Sequence, residues 1–98
     1  MHIISVRRLK AFWEEHNQAK NPLRAWYSEA KIADWGSFAD IKARYRSADV
    51  VAGDRVIFNI AGNQYRLVVK FDFVKRTGFI KFVGTHAEYD RINVEEVE

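Results

Sequence analysis

The chain has 98 residues, 48% of them hydrophobic and none of them cysteine. That suffices for one domain, residues 1–98, around a single core, and it excludes disulfides, thiolate metal sites, cysteine nucleophiles and a large internal active site. The net charge is +3, but Lys and Arg outnumber Asp and Glu 15 to 9 over residues 1–89 (+6), whereas residues 90–98 set Arg91 against Asp90, Glu95, Glu96 and Glu98 (−3). A basic body followed by an acidic end points to an anionic partner such as nucleic acid. Three scattered histidines argue against a metal site. No apolar run is long enough to cross a membrane, and Met1-His2-Ile3-Ile4 is too short for a signal peptide, so a soluble, cytoplasmic protein is expected.

Met1 to Ser5 reads as a short strand, with Ser5 as N-cap of a helix carrying Val6, Leu9, Phe12, Trp13 and His16 on one stripe. Asn21-Pro22 reads as a second helix start, Asn as cap and Pro at the first helical position. Leu23, Trp26, Tyr27 and Ala30 continue that helix until Gly36 interrupts the pattern. Ser37, with Asp40 three residues on, starts a short third helix through Ile41 and Tyr45. From Asp54 the period becomes two: Arg55 to Ile60 alternates, and so does Gln64 to Phe71. Ala61-Gly62-Asn63 has hairpin composition, and Lys75-Arg76-Thr77-Gly78 forms a second turn leading into a strand from Phe79 to Val83. The expected fold is α+β: a small antiparallel β-sheet with the N-terminal helices packed on one face.

Successive strand residues point to opposite faces. Val56, Phe58, Ile60, Tyr65, Leu67, Val69, Phe71, Ile80 and Phe82 form the apolar set that should meet the helices. The complementary set carries Arg55, Asn59, Arg66, Lys70 and Lys81, interrupted by Ile57, Val68, Phe79 and Val83. Cations interleaved with apolar and aromatic groups suit a polyanion with stackable bases. An ordinary solvated sheet face is the alternative, although Arg66 between apolar neighbours is a costly place for an idle charge.

Thr85-His86-Ala87-Glu88 is a capping box, so helix initiation alone accounts for Thr85 and Glu88. Spacings of three and four place His86, Tyr89 and Asp90 on one side of that turn. An imidazole there can move protons near neutral pH. The alternative is a His–Tyr pair packed at the sheet edge. His2 and His16, and Trp13, Trp26 and Trp35, have ordinary terminal, helix-end and packing explanations.

The runs Val56 to Val69 and Phe82 to Asp90, together with Leu23-Arg24-Ala25-Trp26-Tyr27 and Trp35 to Lys42, resemble the HigB toxin family over nearly the whole chain. The resemblance implies a RelE-like mRNA interferase, the toxin of a type II toxin–antitoxin module. It implies cleavage of mRNA on the ribosome, neutralisation by a helix-turn-helix antitoxin, and no cofactor or metal. The implied chemistry is attack of a ribose 2′-hydroxyl on the adjacent phosphate. Arg66 would stabilise the transition state and His86 act as base or acid. Tyr89 would stack or share proton transfer, and Lys81 would clamp phosphate. Arg55, Asn59, Lys70 and Asp90 would contact the RNA. A non-catalytic RNA- or DNA-binding module using the same basic face is the competing expectation.

Overall fold

The computed structural model describes residues 1–98. Strand β1 (His2–Ile4) leads into α1 (Arg7–Glu15), and a short 3-10 turn, Asn17–Ala19, joins it to α2 (Lys20–Ala30). Helix α3 (Phe38–Arg44) precedes β2 (Asp49–Val51), β3 (Arg55–Ile60), β4 (Tyr65–Asp72), β5 (Thr77–Thr85) and a final turn of helix, α4 (His86–Tyr89). The strands form one sheet in the order β1-β5-β4-β3-β2. The α+β class is as expected, but the sheet is mixed: β1 runs parallel to β5, its His2, Ile3 and Ile4 opposite Thr77, Gly78 and Phe79. The crossover through the helices makes a parallel pairing possible.

Other differences have local causes. Ser5 does not cap α1. Its backbone is left-handed (φ 71°) to turn the chain out of β1, and Val6 takes the cap position. Helix α2 starts at Lys20, so Pro22 sits third in the helix rather than first. Proline is tolerated there because the opening amides have no intrahelical acceptor. Ser37 does cap α3, its Oγ accepting from the Asp40 amide at 3.3 Å. The edge strand β2, three residues long, is too short to register in the two-residue period.

One face of the sheet packs on the helices. Leu9, Leu23, Trp26 and Ile41 from the helices meet Val56, Phe58, Leu67, Val69 and Ile80 from the strands in a single apolar cluster. The Trp26 and Phe58 rings meet edge to face at 5.3 Å. Each large side chain buried there contributes about 1.5–3 kcal/mol. The hairpin between β3 and β4 uses left-handed backbone at Ala61 and Gly62, the conformation that a tight strand reversal demands. The amino group of Met1 donates to the carbonyls of Ala30 and Ala33, placing a cation at the C-terminal end of α2.

Candidate active site

Pairing between β4 and β5 is interrupted once. Val68 lies opposite Phe82 and Val69 opposite Ile80, so Lys81 is an extra residue on β5. This β-bulge shifts the alternation by one. Beyond it Val83 turns to the helix face and Phe82 to the opposite face, the reverse of the strict alternation expected from the sequence. The face away from the helices therefore carries three rows: Arg55, Lys70 and Phe79; Ile57, Val68 and Phe82; and Asn59, Arg66 and Gly84. A signal for the bulge was present, because the apolar pairs Phe79/Phe82 and Ile80/Val83 are spaced by three rather than two.

At the Arg66 end, α4 folds back against this face. Its capping box is complete: Thr85 Oγ1 accepts from the Glu88 amide at 3.2 Å, and Glu88 Oε1 accepts from the Thr85 amide at 2.8 Å. These bonds, led by the Thr85 amide, hold the Glu88 carboxyl below its ordinary value. Gly84 makes the fold-back possible. A Cβ there would stand 2.5 Å from Phe82 Cζ and 3.3 Å from Glu88 Cβ, so only glycine lets the Phe82 ring and α4 close over the strand end. The Tyr89 ring then lies 6.3 Å from Phe82, with the Arg66 guanidinium 5.9 Å from its centroid. Arg66 is braced by the hairpin carbonyl of Asn63 at 3.3 Å. Burial pushes the Tyr89 phenol up; Arg66 opposes the shift, while Asp49 and Asp90 add to it. Tyr89 is therefore a protonated donor at neutral pH. His86 Nδ1 is 3.2 Å from Asp90 Oδ2, and both side chains are half-exposed. With Nδ1 donating to Asp90, the other ring nitrogen carries the lone pair.

The residues after α4 run back over the same face. Arg55 Nη1 donates to the Val94 carbonyl at 2.7 Å, and Arg8 Nη2 to the main-chain oxygen of Glu98 at 2.6 Å. Ile92, Val94 and Val97 are half-buried along this path. Ile57 and Val68 are only 6% and 0% exposed, although the N-terminal helices pack on the other face. The acidic segment therefore straps the middle of the basic face rather than hanging free.

The expected site residues separate into groups. Arg66, His86, Tyr89 and Asp90 gather at the C-terminal end of β5. Asn59 is opposite Arg66 but spends its side-chain amide on the Ser47 carbonyl at 3.1 Å. Lys70 and Lys81 do not join them; they line a cavity at the other end of the face. Arg55 is not open for RNA: it is 7% exposed and bound to the strap. Sequence reasoning missed Asp49, which acts on Tyr89 from the short strand β2, and Arg8, which ties the strap and also donates to the Lys81 carbonyl at 2.8 Å.

The family model for HigB toxins, described as the RelE-like toxic component of a toxin–antitoxin system, matches residues 19–92. An mRNA interferase toxin HigB of Escherichia coli K12 is 30% identical over 92 residues, covering 92% of this chain and 88% of that protein. The mRNA interferase HigB of Shigella flexneri matches to the same extent. An mRNA interferase HigB of Escherichia coli O6:H1 is 23% identical over 94 residues, covering 94% of this chain and 91% of its own length. A parity-shifted β5 that brings Tyr89 and the His86–Asp90 pair beside Arg66 of β4 is thus set in a chain that belongs to the HigB toxin family of RelE-like toxins.

Proposed function

We propose that this chain is an mRNA interferase, an endoribonuclease that cuts mRNA on the ribosome and is held inactive by a helix-turn-helix antitoxin. The observation that carries the chemistry is the Arg66 guanidinium 5.9 Å from the Tyr89 ring, at the strand end that also holds the His86–Asp90 pair. That the relatives are mRNA interferases supports the substrate. The ribosome and the antitoxin class rest on the family resemblance.

In this reading the bond formed joins the ribose 2′-oxygen to the adjacent phosphorus, and the bond broken joins that phosphorus to the 5′-oxygen. The products are a cyclic phosphate and a 5′-hydroxyl. The free ring nitrogen of His86 takes the 2′-OH proton, with Asp90 holding the ring in orientation. Arg66 compensates the charge that builds on the phosphorane oxygens. Tyr89, kept protonated by burial, donates a proton or hydrogen bond to the departing 5′-oxygen and offers its ring to a neighbouring base. Lys70 and Lys81 hold RNA away from the scissile bond.

Expression in bacteria without an antitoxin should arrest growth and leave translated mRNAs cut. Normal growth with intact transcripts would overturn the proposal. The binding-module reading draws on the Lys70–Lys81 cavity, which needs no His86. The variant His86→Ala separates the two: lost cleavage with retained RNA binding supports the nuclease, and unchanged cleavage removes His86 from the mechanism. A reading frame for a small helix-turn-helix protein beside this one is the expected genetic context.

A further inference from the structure

At the end of the face opposite His86, Lys70, Phe79 and Lys81 surround a cavity of about 590 Å³, with Asp54, Asp72 and Val74 at its walls. That volume lies in the range of sites that take a nucleotide-sized molecule, about 300–1,000 Å³. Phe79 is opposite Lys70 in the β4–β5 ladder and points away from the helices, so its ring belongs to neither the main core nor the Phe82 row. Lys81 Nζ stands 5.6 Å from the ring centroid. The bulge brings Lys81 here, since without the extra residue the position would fall into step with the row of Val68. Val74, at the rim, is 94% exposed, an apolar side chain with no packing role in the fold. The strap passes beside this region, tied to Arg55 in the row of Lys70 and to Arg8 next to Lys81, but no residue from 90 to 98 lines the cavity.

We propose that this cavity is a second nucleotide subsite, in which one base of a single-stranded RNA stacks on Phe79 while Lys70 and Lys81 take the flanking phosphates. The inference rests on the reading of this face as an RNA-cleaving one and adds a contact remote from the reacting phosphate. The lining explains the ligand class. Two lysines beside an aromatic ring suit phosphate and base together. Asp54 offers a carboxylate to the amino group of a base and makes the site a poor trap for a bare polyanion. Asp72 is partly spent, because its Oδ1 accepts from the Lys75 amide at 3.0 Å and shapes the turn. From Arg66 to Lys70 is four residues of extended strand, about 13 Å. An RNA must therefore run past the strap to reach both sites, and a very short oligonucleotide cannot.

The test is a length series of RNAs of about two to eight nucleotides, 2′-O-methylated so that no attack can occur, titrated against the intact protein and Phe79→Leu. For the unaltered protein, affinity should rise in a step once the RNA spans both sites, by about tenfold, as loss of one stacked base predicts. In Phe79→Leu the step should vanish while the shortest RNAs bind as before. Lys70→Gln should lower the salt dependence of the longer RNAs by about one phosphate contact. Equal length dependence in both proteins, with Phe79→Leu still folded by circular dichroism, overturns the subsite but leaves the Arg66 site standing. Failure of every RNA to bind the unaltered protein overturns both. Leucine removes the aromatic face and keeps the apolar volume, so loss of stacking is separated from loss of fold.

Discussion

The two faces of the sheet are both covered, but by different means. The helix face closes over a continuous apolar cluster that includes Val56, Phe58, Leu67, Val69 and Ile80. On the other face just one row, Ile57, Val68 and Phe82, is apolar, and it is roofed by α4 and the strap that Arg55 and Arg8 hold down. Cationic rows flank it on either side. A chain of this size has no room for an internal site. It makes one by roofing half of a second face and leaving polar rows at the margins of the roof, so that the roofed apolar row separates Arg66 from Lys70.

The largest expected effects fall on the partly roofed face and concern activity. Arg66→Ala should lower cleavage by about 10²–10³-fold, as loss of one preorganised cationic donor does, and His86→Ala by about 10²-fold or more. Primer extension on a translated mRNA measures both, and a circular dichroism spectrum unchanged from the parent confirms that the fold survives. Retained cleavage in Arg66→Ala would remove the distinction between a chemical and a structural face.

The comparison is sharpened next by stability. Leu67→Ala on the helix face should cost about 2–5 kcal/mol in urea unfolding. Val68→Ala, one residue along and pointing the other way, should cost about 2 kcal/mol. A cost near zero for Val68→Ala would mean that α4 and the strap do not make a real second interior. Gly84→Ala belongs to the same test: its Cβ would collide with the Phe82 ring, an overpacking expected to cost about 1–3 kcal/mol and to loosen α4.

Smaller effects probe the roof's edge. Thr85→Ala should remove about 1 kcal/mol. Because the Glu88 carboxyl is held below its ordinary value, its contribution is complete above the usual carboxylate range and is lost as the pH falls through its lowered value. The acid limb of the stability curve should therefore flatten in Glu88→Gln and largely persist in Thr85→Ala, whose backbone amide remains. Smallest of all, replacing Glu95, Glu96 and Glu98 by Gln should change stability by no more than about 0.5 kcal/mol while raising the rate of RNA association at low salt.

Much of this architecture could be read from the residues. Helix stripes at Leu9, Leu23 and Trp26 and the alternation of β3 and β4 announce the core, because burial imposes a period that survives in the sequence. The capping box at Thr85 is legible for the same reason: its partners are three residues apart. What escaped depends on pairings between distant segments. The parallel β1–β5 contact, the reach of Arg8 to the strap and the approach of Asp49 to Tyr89 leave no mark in local spacing. Arg55 shows the limit most clearly, since a buried arginine under a strap and an exposed one facing RNA occupy the same position in an alternating strand.

The bulge at Lys81 works as a counting device. Removing Lys81 would erase the bulge and leave Phe82 opposite Val68, but inserting one residue beside it would change which way every later residue faces. Phe82 and Val83 would trade sides, Gly84 would move away from the place where only glycine fits, and the turn bearing His86 and Tyr89 would leave the sheet on the wrong side of Arg66. An insertion beside Lys81 should therefore be as harmful as losing Arg66 or His86 outright, whereas one between Val74 and Lys75 only lengthens an exposed turn.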